Sequence, residues 1–317
     1  MPILTLIPHF SERPWGGSAL TAYGAPSGVP IGEAWVVAAH PNGVSVVESA
    51  TGIGQETIGL GLDQVWENHR HVFGDLPGER FPLLTKIIDA NDWLSLQLHP
   101  NDAQAPAGDL GKAECWYVIG AEPGAQLVHG ITESDLEAAK IRILQSDFDG
   151  FFVYHDVHVG DFFDVPTGLV HGIGPGIQIL ETQQNSDTTY RLYDWDRPGL
   201  DGQLRPLHLQ ESADCVRTDV PHGTTTPTVS TQDGFERRHY VTNAHFGVDV
   251  WHVSGETTVE RPHPQLIIVS VVSGSITIDD GDGPVSLVVG QSAVIGAHPE
   301  PLHLDGAGEV VVSWPVQ

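Results

Sequence analysis

The sequence predicts an all-β protein with a few short helices. Three observations carry this expectation. The 317 residues include 36 glycines and 23 prolines, enough for many turns. The apolar runs are short, rich in Val and Ile, and bounded by Gly, Pro, Asn and Asp. Several runs alternate apolar with polar residues, the spacing at which strand side chains share a face.

Taken in order, residues 1–50 read as short strands. Ile31 to Ala38 and Val44 to Val47 are strands joined by a tight turn at Asn42-Gly43. Ile58, Leu62, Val65, Trp66, His69 and Phe73 recur at helical spacing, which predicts a helix over 55–74 stopped by Gly74. Phe81 to Ile88 is a strand, expected to form a hairpin with the next one through Asp89-Ala90-Asn91-Asp92. That next strand is Trp93 to His99. Its alternation sends Leu94, Leu96 and Leu98 to the core and lines up Ser95, Gln97 and His99 as a polar row. Residues 103–111 are a loop, after which Glu114 leads a strand with Trp116 and Val118 on its face. A further strand ends at Val128. Thr132 is the expected N-cap of a helix running to residue 146, with acids in its first turn.

Strands resume over 151–183, followed by the polar stretch Asn185 to Arg197 and a short helix over 206–216. The Thr/Pro/Gly-rich segment that follows divides the chain into residues 1–217, a linker 218–234, and residues 235–317. In the last part, Leu266 to Val272, Gly274 to Ile278, Val285 to Val289 and Val310 to Trp314 are the clearest strands. Gly290 to His298 echoes the spacing of Gly160 to Gly168, so residues 235–317 read as a degenerate copy of the first fold. They lack a matching His/Gln row.

Composition narrows the partners. The net charge is −27, with 14 Lys and Arg against 41 Asp and Glu, which argues against nucleic acid or an anionic membrane as partner. No apolar run approaches the roughly 20 residues of a membrane span. Met1-Pro2-Ile3-Leu4-Thr5 has no basic n-region, so no signal peptide is expected. Two cysteines, Cys115 and Cys215, make no disulfide framework. A cytoplasmic protein acting on a small molecule, as a monomer or small homo-oligomer, is the expectation.

The chemistry concentrates in two stretches. One is the polar row that ends in His99. The other, Gly160 to His171, is a turn, a strand, a Pro/Gly turn and then a histidine. Glu114 lies between them. An imidazole pair with a carboxylate and the Gln97 carboxamide is a donor set for a divalent metal.

Gly160, Pro166, Gly168 and His171 fall at the spacing of the second cupin motif, which they resemble. In place of the first motif's His-x-His stands Gln97-Leu98-His99, and its glutamate is postponed to Glu114. That departure resembles type I mannose-6-phosphate isomerases, in particular their shorter bacterial form. Gly32-Glu33-Ala34-Trp35 with His40-Pro41, Pro82 to Ala90, Leu94 to Asp102, Gly111 to Tyr117, Gly168 to Gly176 and Asn185 to Arg191 resemble that family's blocks, in its order.

The resemblance implies two cupin-like jelly-roll barrels and one zinc ion per chain, held by Gln97, His99, Glu114 and His171. It implies Arg191 as catalytic arginine, Lys112 and Asp187 in proton transfer, and Ser95, Lys86 and Arg197 at a substrate phosphate. Some relatives place a histidine before the Lys112 position; here it is Gly111. The activity implied is interconversion of mannose 6-phosphate and fructose 6-phosphate through a cis-enediol. A lysine near a metal and an arginine is expected to have its pKa lowered toward acid/base use. Two other readings use the same residues. An iron dioxygenase would take His99, Glu114 and His171 as a facial triad. A sugar-phosphate-binding cupin would use them without turnover.

Overall fold

A computed structural model describes residues 2–279 and 281–316. The chain forms two compact units. One comprises Met1–His9, Trp35–Lys86 and Thr226–Gln317; the other comprises Phe10–Ala34 and Ile87–Thr225.

The first unit is built on a ten-stranded sheet, counted among the described residues. Its order is Thr228–Gln232, Phe235–Thr242, Phe246–Ser254, Leu302–Pro315, Ile267–Asp279, Ser292–Ile295, Ile3–Ile7 and Val46–Thr51, with Thr257–Val259 and Val285–Val288 off this path. Cross-strand rows such as Ile267–Ile295–Ile3 and Val312–Val269–Ala293 give it an apolar core. The sequence reading broke one strand at Gly274. In the structure Ile267–Asp279 is continuous, and a register irregularity between Val271 and Ser273 moves the core-facing set from Val269 and Val271 to Ile276 and Ile278. Gly274 has φ +67°, and a Cβ there would lie 2.0 Å from the Ala307 carbonyl oxygen, so only glycine fits. The segment read as a linker contains the strand Thr228–Gln232, and the Ile3–Ile7 strand pairs with Ser292–Ile295, far along the chain.

Two further large sheets are described, both open. A five-stranded sheet runs Phe152–Asp156, Gln126–Ile131, His171–Ile173, Leu96–Leu98, Tyr190–Tyr193. A six-stranded sheet runs Phe162–Val165, Glu114–Ala121, Ile177–Gln184, Leu83–Ala90, His9–Gly17, Ile31–Val37. The expected hairpin is therefore absent: Leu83–Ala90 and Leu96–Leu98 belong to different sheets. Residues 91–95 cross between them, with the Asn91 and Asp92 N–H groups donating to the Trp15 carbonyl. Because regular pairing starts only at Leu96, the leucines do not share a face. Leu94 joins Trp116, Val118, Phe163 and Leu127 in the core, whereas Leu98 joins Ala139, Ile143, Leu192 and Ala213 against two helices.

Those helices are Leu136–Leu144 and Leu209–Cys215. The first is capped by Asp135, whose carboxylate accepts from the Ala138 N–H at 2.8 Å. Thr132, the expected cap, donates instead to the Gly150 carbonyl. In the other unit the helix expected over 55–74 is broken into Gln55–Thr57, Leu62–Asn68 and Arg70–Phe73. Gly59 and Gly61 interrupt it, and Ile58 turns to solvent. Among the described residues no helix is long and apolar enough to cross a membrane.

Candidate metal centre and active site

The register of the five-stranded sheet lines up a polar row. His129 opposes His171, His171 opposes Gln97, and Gln97 opposes Arg191. Residues directly opposite in an antiparallel pair project from the same face. In the six-stranded sheet, Glu114 opposes Val165 and Gln183, one step along from Trp116, Phe163 and Glu181. The two polar sets meet in the interior, where His99, Glu114 and His171 are each about 1% exposed.

Their geometry is that of a cation site. Glu114 places Oε2 3.4 Å from His99 Nε2 and Oε1 3.4 Å from His171 Nε2, and the two Nε2 atoms lie 3.1 Å apart. Each ring is anchored from behind: Nδ1 of His99 to the Thr188 carbonyl and Nδ1 of His171 to the Leu169 carbonyl, both at 2.9 Å. A carbonyl only accepts, so each Nδ1 carries the proton. Burial lowers the pKa of both rings, that of His171 to about 3, so both are neutral and present Nε2 lone pairs to a common point. Backbone-anchored Nδ1–H with an unprotonated Nε2 turned to a shared centre is the arrangement of a metal-ligating histidine. Glu114 Oε1 makes no hydrogen bond though buried, another donor atom with unspent capacity. The Gln97 carboxamide reaches within 3.4 Å of His171 Nε2, and Ser95 Oγ lies 2.9 Å from its oxygen. A hydroxyl can donate or accept, so it supports either orientation of this amide, including the one that turns oxygen to the centre. The residues fit a divalent ion.

Lys112 shares this space. Its Nζ contacts Glu114 Oε2, lies 3.2 Å from His99 Nε2 and 3.9 Å from Glu181 Oε1. The sequence reading expects a metal cation and an arginine beside it to lower its pKa. Among the protein's own groups, burial acts in that direction, and the carboxylates of Glu114, Glu181 and Asp187 outweigh it and favour the ammonium. Burial also disfavours the charge on Glu114, yet Lys112 and the imidazoles hold its pKa well below the ordinary range.

The other expected residues are distributed as follows. Arg191 stands beside Gln97 in register, half-buried, with Nε unpaired. Asp187 is near enough for its charge to raise the pKa of Lys112 and of Arg13. Ser95 is engaged with Gln97. Arg197 pairs with Asp92 at 2.8 Å and Asp194 at 3.3 Å. Lys86 belongs to the other unit, where its buried ammonium lies 4.7 Å from the centroid of Trp35. Gly111 packs on the chain: a Cβ there would meet the Asp102 nitrogen at 2.6 Å, so no histidine could stand before Lys112 without a backbone shift.

Two neighbours escaped the sequence reading. Glu181 is buried and accepts from Trp116 Nε1 at 3.1 Å. Alternation from Ile177 and Ile179 would have placed it on the core face, where an unpaired acid is rare. Arg13, paired with Glu33 at 2.8 Å, had no such signal.

The family model described as "Phosphomannose isomerase type I, catalytic domain" matches residues 3–125, and "Mannose-6-phosphate isomerase, cupin domain" matches residues 236–315. The chain is 40% identical over 315 residues to the mannose-6-phosphate isomerase of Streptococcus mutans, covering 98% of this chain and 97% of that one. It is 41% identical over 312 residues to one from Bacillus subtilis, covering 96% of each. Among solved structures it resembles the mannose 6-phosphate isomerase from Bacillus subtilis with a TM-score of 0.91 at 33% identity, over 99% of this chain and 100% of that one. A phosphomannose isomerase mutant from Salmonella typhimurium, at 18% identity and TM-score 0.79 over the full length of both chains, shares the fold.

Proposed function

The chain belongs to the type I mannose-6-phosphate isomerase family, and we propose that it interconverts mannose 6-phosphate and fructose 6-phosphate with a zinc ion held by Gln97, His99, Glu114 and His171. The observation that supports this most directly is the pair of imidazole lone pairs aimed at one point beside an unsatisfied carboxylate oxygen. The cupin description of residues 236–315 supports reading that part of the chain as cupin-like.

Moving the carbonyl from C1 to C2 requires three changes: C2 loses a proton, C1 gains one, and a hydroxyl proton passes from O2 to O1. The intermediate is a cis-enediol. Zinc, when bound, supplies a Lewis acid that polarises a carbonyl and stabilises developing negative charge. Lys112, held as an ammonium, is the group able to give a proton or face an oxyanion. Asp187, whose negative charge is felt by Lys112, is the partner that accepts one. Arg191 stays protonated and offers its unpaired Nε–H to the opened sugar. Ser95 and Arg197 are the proposed phosphate contacts within the unit that holds these residues, with Arg197 exchanging a carboxylate for the phosphate.

The test is isomerisation of mannose 6-phosphate by the protein as isolated, after chelation, and after zinc is restored. Activity lost on chelation and regained with zinc is expected. Full activity in metal-free protein would refute the metal's role. A zinc-loaded protein inert on this sugar would refute the substrate.

A further inference from the structure

Tyr190–Tyr193 is the edge strand of the five-stranded sheet, with Leu96–Leu98 on its one paired side. Pairing runs Tyr190 to Leu98 and Arg191 to Gln97, then slips, so that Tyr193 meets Leu96. Two residues oppose one just after Arg191, a bulge of the kind that re-aims side chains. An edge strand leaves N–H and C=O groups without a neighbouring strand, and each such group needs a partner. At Arg191 one residue fills both needs. The His208 N–H donates to the Arg191 carbonyl at 2.8 Å, and the Arg191 N–H donates to His208 Nδ1 at 3.2 Å. The imidazole replaces the carbonyl of an absent strand. The His208 carbonyl accepts the Ser212 N–H at 2.8 Å, in the first turn of Leu209–Cys215.

His208 therefore ties Arg191 to a helix that is itself fixed. Ala213 and Cys215 from that helix pack with Leu98 and Leu192 behind the sheet. The ring also lies against Tyr190, with centroids 5.9 Å apart. Nothing comparable is needed to fold a sheet edge, since water can satisfy it. The tether sits at the residue that the register places opposite Gln97, next in the metal-ligating row.

We propose that His208 is a positioning residue for the isomerase reaction, clamping the main chain of Arg191 from the sheet edge so that its guanidinium stays aimed beside Gln97. This rests on the reading of Arg191 given above. A misplacement of about 1 Å at a catalytic group can cost about 100-fold in rate.

The experiment compares His208→Ala, His208→Asn and Arg191→Ala, alone and combined, by metal content and steady-state kinetics on mannose 6-phosphate. Asn can place Oδ1 where Nδ1 stood and keep the acceptor; Ala cannot. His208→Ala is expected to keep its metal, lose about 10- to 100-fold in kcat and change KM by less than about threefold. His208→Asn should recover most of that loss. In the Arg191→Ala background, His208→Ala should cost nothing more, because the two act as a unit. Unchanged kcat in His208→Ala, or an equal loss in both backgrounds, would overturn the proposal while leaving Arg191's role standing. Parental turnover by Arg191→Ala alone would overturn that role and the proposal with it. Should His208→Ala not fold, His208→Gln serves instead. Its longer amide cannot present an acceptor at the Nδ1 position, so it should lose kcat where Asn retains it.

Discussion

Gly160 to His171 and Gly290 to His298 share a glycine-opened turn and a short strand, Phe162–Val165 in one and Ser292–Ile295 in the other. They end differently. His171 is buried with Nδ1 tied to a carbonyl and Nε2 facing a second imidazole. His298 is half-buried, and its Nδ1 accepts the Glu300 N–H at 3.2 Å. The interiors differ in the same way. Around Ile267–Asp279 and Ser292–Ile295 the core is Ile, Val, Leu and Trp. Its neighbouring buried acid, Asp249, is surrounded by Arg237 Nε at 2.7 Å, His239 Nδ1 at 2.8 Å and Trp251 Nε1 at 3.3 Å. Glu114, by contrast, keeps an oxygen without a hydrogen bond among lone pairs. A buried polar group does not by itself mark a site. Several lone pairs converging on one point do.

The sharpest way to break this comparison is to exchange the two histidines for alanine. His171→Ala should deplete the metal and take isomerase activity to background, whereas His298→Ala should leave both at parental levels; metal analysis and the isomerase assay read this directly. Metal loss in His298→Ala would end the contrast. Arg191→Ala comes next, with metal retained and turnover lowered about 100- to 1,000-fold, the usual cost of removing a preorganised donor to a developing oxyanion. Asp249→Ala should leave metal and kcat alone but destabilise the fold by about 2 kcal/mol in denaturant unfolding. That is below the usual cost of breaking a buried pair, because Arg237 and His239, each about a third exposed, can turn to water.

The donor set was legible because each member breaks a local rule. Gln97 and His99 interrupt leucines at period two, Glu114 heads an apolar strand, and His171 follows a turn of fixed spacing. Glu181 breaks the same rule in Ile177–Gln184 and was passed over because no motif drew attention to it. What could not be read locally depends on distant partners. The pairing of Ile3–Ile7 with Ser292–Ile295 has no nearby signature, nor has the crossing between sheets at residues 91–95. The charge environment of Lys112 is partly of this kind: Glu114 stands two residues away, but Glu181 and Asp187 lie far along the chain. The family resemblance lay in six ordered blocks, a pattern no single strand carries.

The smallest net effect expected in the parent protein is a pH dependence that begins in the row itself. His129 neighbours His171 in register, but both its nitrogens are used: Nε2 donates to the Asp164 carbonyl at 3.0 Å and Nδ1 accepts the Gly223 N–H at 2.9 Å. Burial lowers its pKa from 6.5 to about 4. As pH falls from 6.5 to 4 the unfolded chain takes up a proton that the folded one refuses, so His129 withdraws up to about 3 kcal/mol of stability. Asp164 works the other way. Burial raises its carboxyl from 3.8 to about 6, and its Oδ1 has no partner. Between those values the folded state holds the extra proton, so a penalty present above pH 6 is relieved as pH falls. The two opposing windows overlap, and in the zinc-loaded parent they should leave a shallow dependence of unfolding free energy on pH between 6 and 4. Asp164→Asn should steepen the acid loss over that range, and His129→Gln should reverse it. Parallel profiles for all three proteins would mean that neither group titrates with the fold. The contrast between spent and unspent histidines would then rest on the metal measurements alone.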